Sequence, residues 1–484
     1  MPDIIFGTDG WRAVIAETFT FDNVRRVTDA VAVAARGLQP PANVDRNTLV
    51  VGYDRRFLSR EFALAAAEVL KTAGFRVIIS KSATPSQTIS FTASRRKLLG
   101  GIVITASHNP AKYNGLKFKA WYGGSGLPEM YRAIADSLGQ RSARDGGSVV
   151  EEDISEDYVA ALRERVDVRN ILAAKIAILH DPIHGVAAQI PSKVLGIDYV
   201  GNARILRRSL EKLVQSVVDT VRGEVNPSFG GVNPEPIPEN LTAARNVMLT
   251  GEYDLAICTD GDADRLGVLD ERGNFVSPQK IISLLALYLV REKRMSGDIV
   301  KTFSTTRLIE RVAKALGAGL HETPIGFKYV ADLMLTRNIL IGGEESGGIG
   351  FGHFIPERDG ILSGLLVAEC VAHFKLPLST IVARMENEFG TLHYDRRDVH
   401  ATPEQSARLV DRAPELFKGF TSKEEKDGLK LNFADGTWIL FRKSGTEPMI
   451  RIYCESPDAA RVQEMLGRAV KELTTEITEH TEPL

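Results

Sequence analysis

The chain has 484 residues, 44% hydrophobic and 25% charged, and its 60 basic and 62 acidic side chains leave a net charge of −2. That length exceeds one ordinary core and, at roughly 100 to 200 residues per domain, predicts about three to five domains. The near-neutral balance argues against a broad electrostatic footprint for nucleic acid, and no apolar run reaches the ~18 residues of a membrane span.

The N-terminus, MPDIIFGTDGWRA, shows no basic region followed by a long apolar segment, so no signal peptide is expected. From residue 22 to about 120, helical patterns such as FDNVRRVTDAVAVAARGL and REFALAAAEVLKTAG alternate with the short apolar runs TLVVGYD, FRVIIS and GIVIT. This alternation predicts βα units around a mostly parallel sheet. A charged stretch, SARDGGSVVEEDISEDYVAALRERVDVRN, separates it from a second cycle that starts at KIAILHDPIHG and ends at YDLAICTDGDADRLGVLDERGNFVS, where ERGN joins two strand-like pieces. A third cycle runs from IISLLALYLVREKRM through DIVKTFST and ILIGGEESGG to ILSGLLVAECVAHF. The last ninety or so residues read instead as antiparallel α+β, with a helix from Pro403 and the DG of NFADGTW as a hairpin signal. The expected fold class is therefore α/β in three domains, 1–145, 146–274 and 275–388, with a C-terminal α+β domain over 389–484. Cys258, Cys370 and Cys454 lie far apart with no metal-ligand or paired spacing, which predicts reduced thiols and a cytoplasmic protein.

Four loops carry chemistry. TASHNP, residues 105–110, follows a short buried strand and places Ser107 and His108 at its carboxyl end, where open α/β sheets bind ligands. An ordinary turn, a hydrolytic nucleophile and a phosphoryl-carrying serine all fit the segment alone, although it lacks the glycines of a nucleophile elbow. DGDADR, residues 260–265, sets Asp260, Asp262 and Asp264 at alternating positions after LAICT, a pattern able to converge on a hard divalent cation. An EF-hand is excluded, because Arg265 stands at the position that loop reserves for glycine. A few carboxylates suit Mg²⁺, completed by a phosphate oxygen.

GGEESGG, residues 342–348, is a poor phosphate cradle because its glutamates repel anions, but its carboxylate and hydroxyl acceptors suit the vicinal hydroxyls of a sugar. GIGFG beside it has the wrong glycine spacing for a dinucleotide fingerprint. RKSGTEPMIR, residues 442–451, offers Arg442, Lys443, Ser444, Thr446 and Arg451 around Gly445, a suitable clamp for a phosphate monoester. FGTDGWR adds Arg12 on a glycine-containing loop. Spread over separate predicted domains, these loops imply a site where domains meet.

With these motifs in this order, the chain resembles the α-D-phosphohexomutases, the phosphoglucomutase and phosphomannomutase superfamily, from FGTDGWR to RKSGTEP. The resemblance implies four domains around a deep central cleft, three of them mixed-sheet α/β. It implies that Ser107 is the phosphoserine and that Asp260, Asp262 and Asp264 hold Mg²⁺ together with the Ser107 phosphate. His108 would orient groups there, while Lys117 in YNGLK, Arg12 and Arg265 would stabilise charge and assist proton transfer. Glu344 and Ser346 would contact sugar hydroxyls, and Arg442, Ser444, Gly445 and Thr446, with Arg451, would grip the phosphate that is not reacting.

Relatives acting on glucosamine or mannose phosphates usually carry a histidine after the E-x-S-G of the sugar loop, where this chain has Gly348. The doubled glutamate, TPIGFK with Lys328, and His353 before PERDG look more like the glucose-preferring branch, so Lys328 and His353 are further expected substrate contacts. The implied activity is interconversion of glucose 1-phosphate and glucose 6-phosphate, with glucose 1,6-bisphosphate as intermediate and activator. Phosphomannomutase or bifunctional activity is the alternative, followed by phosphoglucosamine mutase, glucose 1,6-bisphosphate synthase and a Mg²⁺-dependent phosphatase. Hexose phosphates are the expected partners of a monomer or homodimer, with neither nucleic acid nor membrane.

Overall fold

The apolar runs of the sequence become strands of four separate sheets in a computed structural model of the chain, which describes residues 4–7, 9–142, 146–199, 216–250, 253–443 and 448–479. The first sheet has seven strands, in the order Phe6–Gly7, Gly10–Val14, Tyr113–Ala120, Leu98–Ile104, Asp45–Tyr53, Arg76–Ser80 and Ser148–Glu152. Its half from Leu98–Ile104 to Ser148–Glu152 is parallel and the remainder antiparallel. Leu98–Ile104 is buried along its whole length, as a continuous apolar run covered on both faces should be. The last strand lies past residue 145, the expected end of the first domain. Its exposed side chains make it a sheet edge, which is why a charged sequence there hides a strand.

The second sheet orders Phe275–Val276, Leu266–Asp270, Leu255–Thr259, Ala177–Asp181 and Val217–Thr220. The third orders Leu320–Thr323, Asp298–Thr302, Ile339–Gly343 and Ile349–Phe351. The fourth is antiparallel throughout, His393–His400, Met449–Ser456, Trp438–Lys443, Leu429–Asn432 and Ser422–Glu424. Helix Pro403–Leu416 starts at the expected proline, with Thr402 and Gln405 closing a reciprocal capping box.

The second and third units share one buried cluster, and helix Gly360–Phe374 lies within it, buried without interruption from Gly360 to Ala372. The first and fourth units have cores of their own. Among the described residues no single helix is long and apolar enough to cross a membrane.

The first three sheets share one device. In each, a parallel strand turns back into an antiparallel neighbour: Leu98–Ile104 into Tyr113–Ala120, Leu255–Thr259 into Leu266–Asp270, and Ile339–Gly343 into Ile349–Phe351. The intervening loops contain Ser107, the three aspartates and Glu344. A structural repeat that the sequence does not display thus presents three chemically different loops at equivalent places.

Candidate active site

Ser107 sits in the left-handed backbone region at φ 54°, with its N–H donating to Thr105 Oγ1 at 2.8 Å. This kink buries the residue and turns its hydroxyl toward the second sheet, where Oγ donates to Asp260 Oδ2 at 2.8 Å. His108 Nδ1 lies 3.5 Å from the same oxygen. The two loops touch through backbone as well: a Cβ on Gly261 would come within 2.6 Å of the Ser107 carbonyl, so glycine between Asp260 and Asp262 is a steric requirement.

Asp260, Asp262 and Asp264 are fully buried, and one carboxylate oxygen from each lies within 4.8 Å of the others. Lys117 projects from strand Tyr113–Ala120 and binds Asp262 Oδ2 at 2.9 Å, Asp9 Oδ2 at 3.1 Å and Asp264 Oδ2 at 3.5 Å. Ser86 Oγ also donates to Asp262 Oδ2, at 2.6 Å. The second oxygens, Asp262 Oδ1 and Asp264 Oδ1, are buried and find no hydrogen-bond partner among the described residues. Buried carboxylate oxygens are costly when unpaired, and a hard cation with oxygen ligands would satisfy them, so the residues fit Mg²⁺.

The electrostatics agree. Burial, then the charges of Asp264 and Asp262, push the Asp260 carboxyl well above its ordinary range. Burial also opposes ionisation of Asp262, but Lys117 and the Ser86 hydroxyl outweigh it and hold that carboxyl down. Burial works against the Lys117 ammonium, yet Asp262, Asp9 and Asp264 prevail and raise it. Burial, followed by Arg265 and Arg12, keeps His108 well below its ordinary value and hence neutral.

A cleft of about 360 Å³ opens in front of these groups, with walls from all four sheet units. Arg12 and His108 come from the first, Arg265 from the second, Lys328, Glu344 and Ser346 from the third, and Arg442 and Arg451 from the fourth. Arg12 is held by Asn109 Oδ1 at 2.7 Å and Arg265 by Glu235 Oε1 at 2.6 Å. Lys328 lies over the ring of Tyr329. On the fourth sheet Arg442 and Arg451 are direct cross-strand partners, with Arg396 and Asp398 on the same face. Two like charges set opposite each other disfavour the pairing, and here Asp427 at 3.1 Å from Arg442 and Asp398 at 3.6 Å from Arg451 offset them. Ser444, Gly445 and Thr446 lie outside the described residues.

His353 does not join this group. It is exposed beside Phe351. The reason is geometric: strand Ile349–Phe351 runs back along Ile339–Gly343, so the turn at residue 353 falls at the sheet end opposite Glu344.

Several site residues escape sequence reasoning. Arg358 links Asp264 Oδ2 at 2.6 Å to Glu344 Oε2 at 3.3 Å. Asp9 faces Lys117 and Arg358. Arg56 holds four carbonyls of the Ser107 loop, those of Ser107, Asn109, Pro110 and Tyr113, at 2.6 to 3.0 Å. YDRRF directly after an apolar strand is the one local signal for Arg56; for Arg358 the PERDG segment gives none.

Four family models described as phosphoglucomutase/phosphomannomutase match the chain: α/β/α domain I over residues 3–145, domain II over 156–273, domain III over 277–389 and the C-terminal domain over 397–472. A phosphoglucomutase/phosphomannomutase from Thermococcus kodakarensis is 31% identical, with 96% of this chain and 98% of the relative covered. A candidate phosphoglucosamine mutase from Methanothermobacter thermautotrophicus is 30% identical over 93% of each chain. Among solved structures, a candidate phosphomannomutase from Thermus thermophilus is similar at a TM-score of 0.82 and 34% identity, covering 97% of this chain and 98% of the other.

Proposed function

The chain belongs to the phosphoglucomutase/phosphomannomutase family, whose members are intramolecular phosphotransferases, and on that premise we propose that it interconverts glucose 1-phosphate and glucose 6-phosphate through a phosphoserine at Ser107 and a glucose 1,6-bisphosphate intermediate. One observation carries the proposal: a buried serine hydroxyl 2.8 Å from Asp260, beside two carboxylate oxygens without a hydrogen-bond partner among the described residues, next to His108 in the wall of a cleft lined from four domains.

In this reading Asp260, Asp262, Asp264 and the Ser107 phosphate hold Mg²⁺, which supplies stabilisation of the charge that spreads over the phosphoryl oxygens in transfer. Arg12 and Arg265 add fixed positive charge at the cleft floor. Lys117, in contact with Asp262, Asp9 and Asp264, stabilises charge and assists proton transfer. Neutral His108 orients groups at the phosphoserine. Glu344 and Ser346 receive sugar hydroxyls, while Arg442 and Arg451, with Ser444, Gly445 and Thr446, grip the distal phosphate in either sugar orientation. Lys328 borders the same space. The bisphosphate turns over within the cleft and returns its other phosphate to Ser107.

A mannose-phosphate activity on the same apparatus is the second reading, favoured by the dual name of the Thermococcus relative. ³¹P NMR with Mg²⁺, a trace of glucose 1,6-bisphosphate, and glucose 1-phosphate or mannose 1-phosphate tests both. Appearance of the 6-phosphates supports a mutase and their relative rates rank the sugars; inorganic phosphate alone would replace the mutase by a phosphatase.

A further inference from the structure

Position 348 has no side chain, and the space one would fill is already taken. A Cβ built on Gly348 would collide with Cδ of Arg358 and come within 3.0 Å of Glu344 Oε2. From that space the Arg358 guanidinium reaches three separate loops, meeting Asp264 Oδ2 at 2.6 Å, Glu344 Oε2 at 3.3 Å and Asp9 Oδ2 at 3.4 Å. It borders the cleft with only 11% of its side chain exposed. The histidine that the E-x-S-G pattern leads one to expect at 348 and an arginine in this pose exclude each other on steric grounds.

We propose that Gly348 and Arg358 form one specificity device, in which the guanidinium admitted by the missing side chain makes the cleft prefer a neutral hexose phosphate to a hexosamine phosphate bearing an ammonium group. The inference rests on the mutase reading and deepens it. Glu344 is buried beside the cleft and would by itself attract a sugar cation. With Arg358 at 3.3 Å, a guanidinium it shares with Asp264 and Asp9, its charge is partly offset, yet it retains lone pairs for neutral hydroxyl donors. An ammonium approaching Glu344 meets as a like charge a guanidinium only 11% exposed, where repulsion is screened less than between solvated charges. Specificity gained by repelling the wrong substrate is a general device of recognition sites.

The geometry also couples the two positions. A side chain at 348 must displace the Arg358 methylenes that carry the guanidinium to Glu344 and Asp264, so Gly348→Ala should shift selectivity in the same direction as Arg358→Met. Substitutions acting through one shared contact are non-additive in a double-mutant cycle.

The test measures kcat/KM for glucose 1-phosphate and glucosamine 1-phosphate in wild type, Arg358→Met, Arg358→Lys, Gly348→Ala and the Gly348→Ala/Arg358→Met double variant. The same proteins are titrated with glucose 6-phosphate and glucosamine 6-phosphate by calorimetry. Wild type should favour the neutral sugar by about tenfold or more, the size of one modest like-charge contact. Arg358→Met and Gly348→Ala should each narrow that ratio, Arg358→Lys should keep it, and the double variant should match the single ones. A ratio that stays constant across the variants, or effects at 348 and 358 that simply add, would overturn the device. Absence of wild-type turnover would overturn the mutase reading instead, and the calorimetric ratios would still decide this proposal.

Discussion

Arg56 grips Ser107 from behind: its Nη2 donates to the Ser107 carbonyl at 2.6 Å, while the Ser107 hydroxyl faces Asp260 on the opposite side. The guanidinium is itself buried against Asp54 at 3.1 Å, and Asp54 also accepts from Thr105 and Ser59. The shape of the Ser107 loop therefore depends on a residue that never faces the cleft.

Arg56→Met should cost about 3 kcal/mol or more of stability, because it leaves Asp54 buried without its cation and four carbonyls without a donor. Urea denaturation measures the loss. At temperatures where the variant is folded, turnover should fall further than the folded fraction does, since the loop loses its frame.

Ser107→Ala should abolish turnover and leave the fold in place. The substitution removes one hydroxyl hydrogen bond, a change of about 1 kcal/mol. Phosphoryl transfer assays paired with a thermal scan check it; a protein that unfolds would return Ser107 to the role of a structural turn.

Asp260→Asn should separate stability from metal binding. Asp260 is buried beside two like charges, so neutralising it should raise the thermal midpoint of the Mg²⁺-free protein. Wild type should gain stability with added Mg²⁺, by about 1.4 kcal/mol for each tenfold excess over Kd, whereas the variant should gain little. Scans in EDTA and in Mg²⁺ provide the comparison.

Lys430 should make stability rise with pH in an alkaline window. It is buried between the third and fourth units, donating to the Phe303 carbonyl at 3.0 Å. Burial, then the charge of Lys301, lowers it from an ordinary 10.5 to about 8. Between those values the unfolded chain holds the proton and the folded one does not, so folding strengthens as pH rises from about 8 to about 10.5. The full contribution is present above that range and is lost as pH falls through about 8. The difference corresponds to about 3 kcal/mol, and Lys430→Met should flatten that part of a pH series of denaturation curves.

What the sequence shows and hides follows from range. Ser107 and the three aspartates are legible because each stands directly after an apolar strand, so a local pattern gives both the element and the loop. Lys117 joins them through the YNGLK likeness, and its strand sets it against Asp262 and Asp264. Arg358 is not legible, because its partner Asp9 is 349 positions away and only the assembled sheets bring the two together. Asp9, Glu235 and Arg396 are hidden for the same reason. His353 misleads because a three-residue strand suffices to carry it to the wrong end of the sheet. The edge strand Ser148–Glu152 escapes a hydrophobic pattern because its side chains face water.

The aspartate loop is bonded to the first and third units. Ser86 of the first unit donates its N–H to Asp262 O, Gly360 of the third donates to Ala263 O, and Leu266 donates to Gly347 O of the 342–348 loop. A piece of chain that stopped before residue 156 would own the serine without the carboxylates, and the complementary piece would own the carboxylates without the serine. Neither of those two pieces would hold the serine and the carboxylates together.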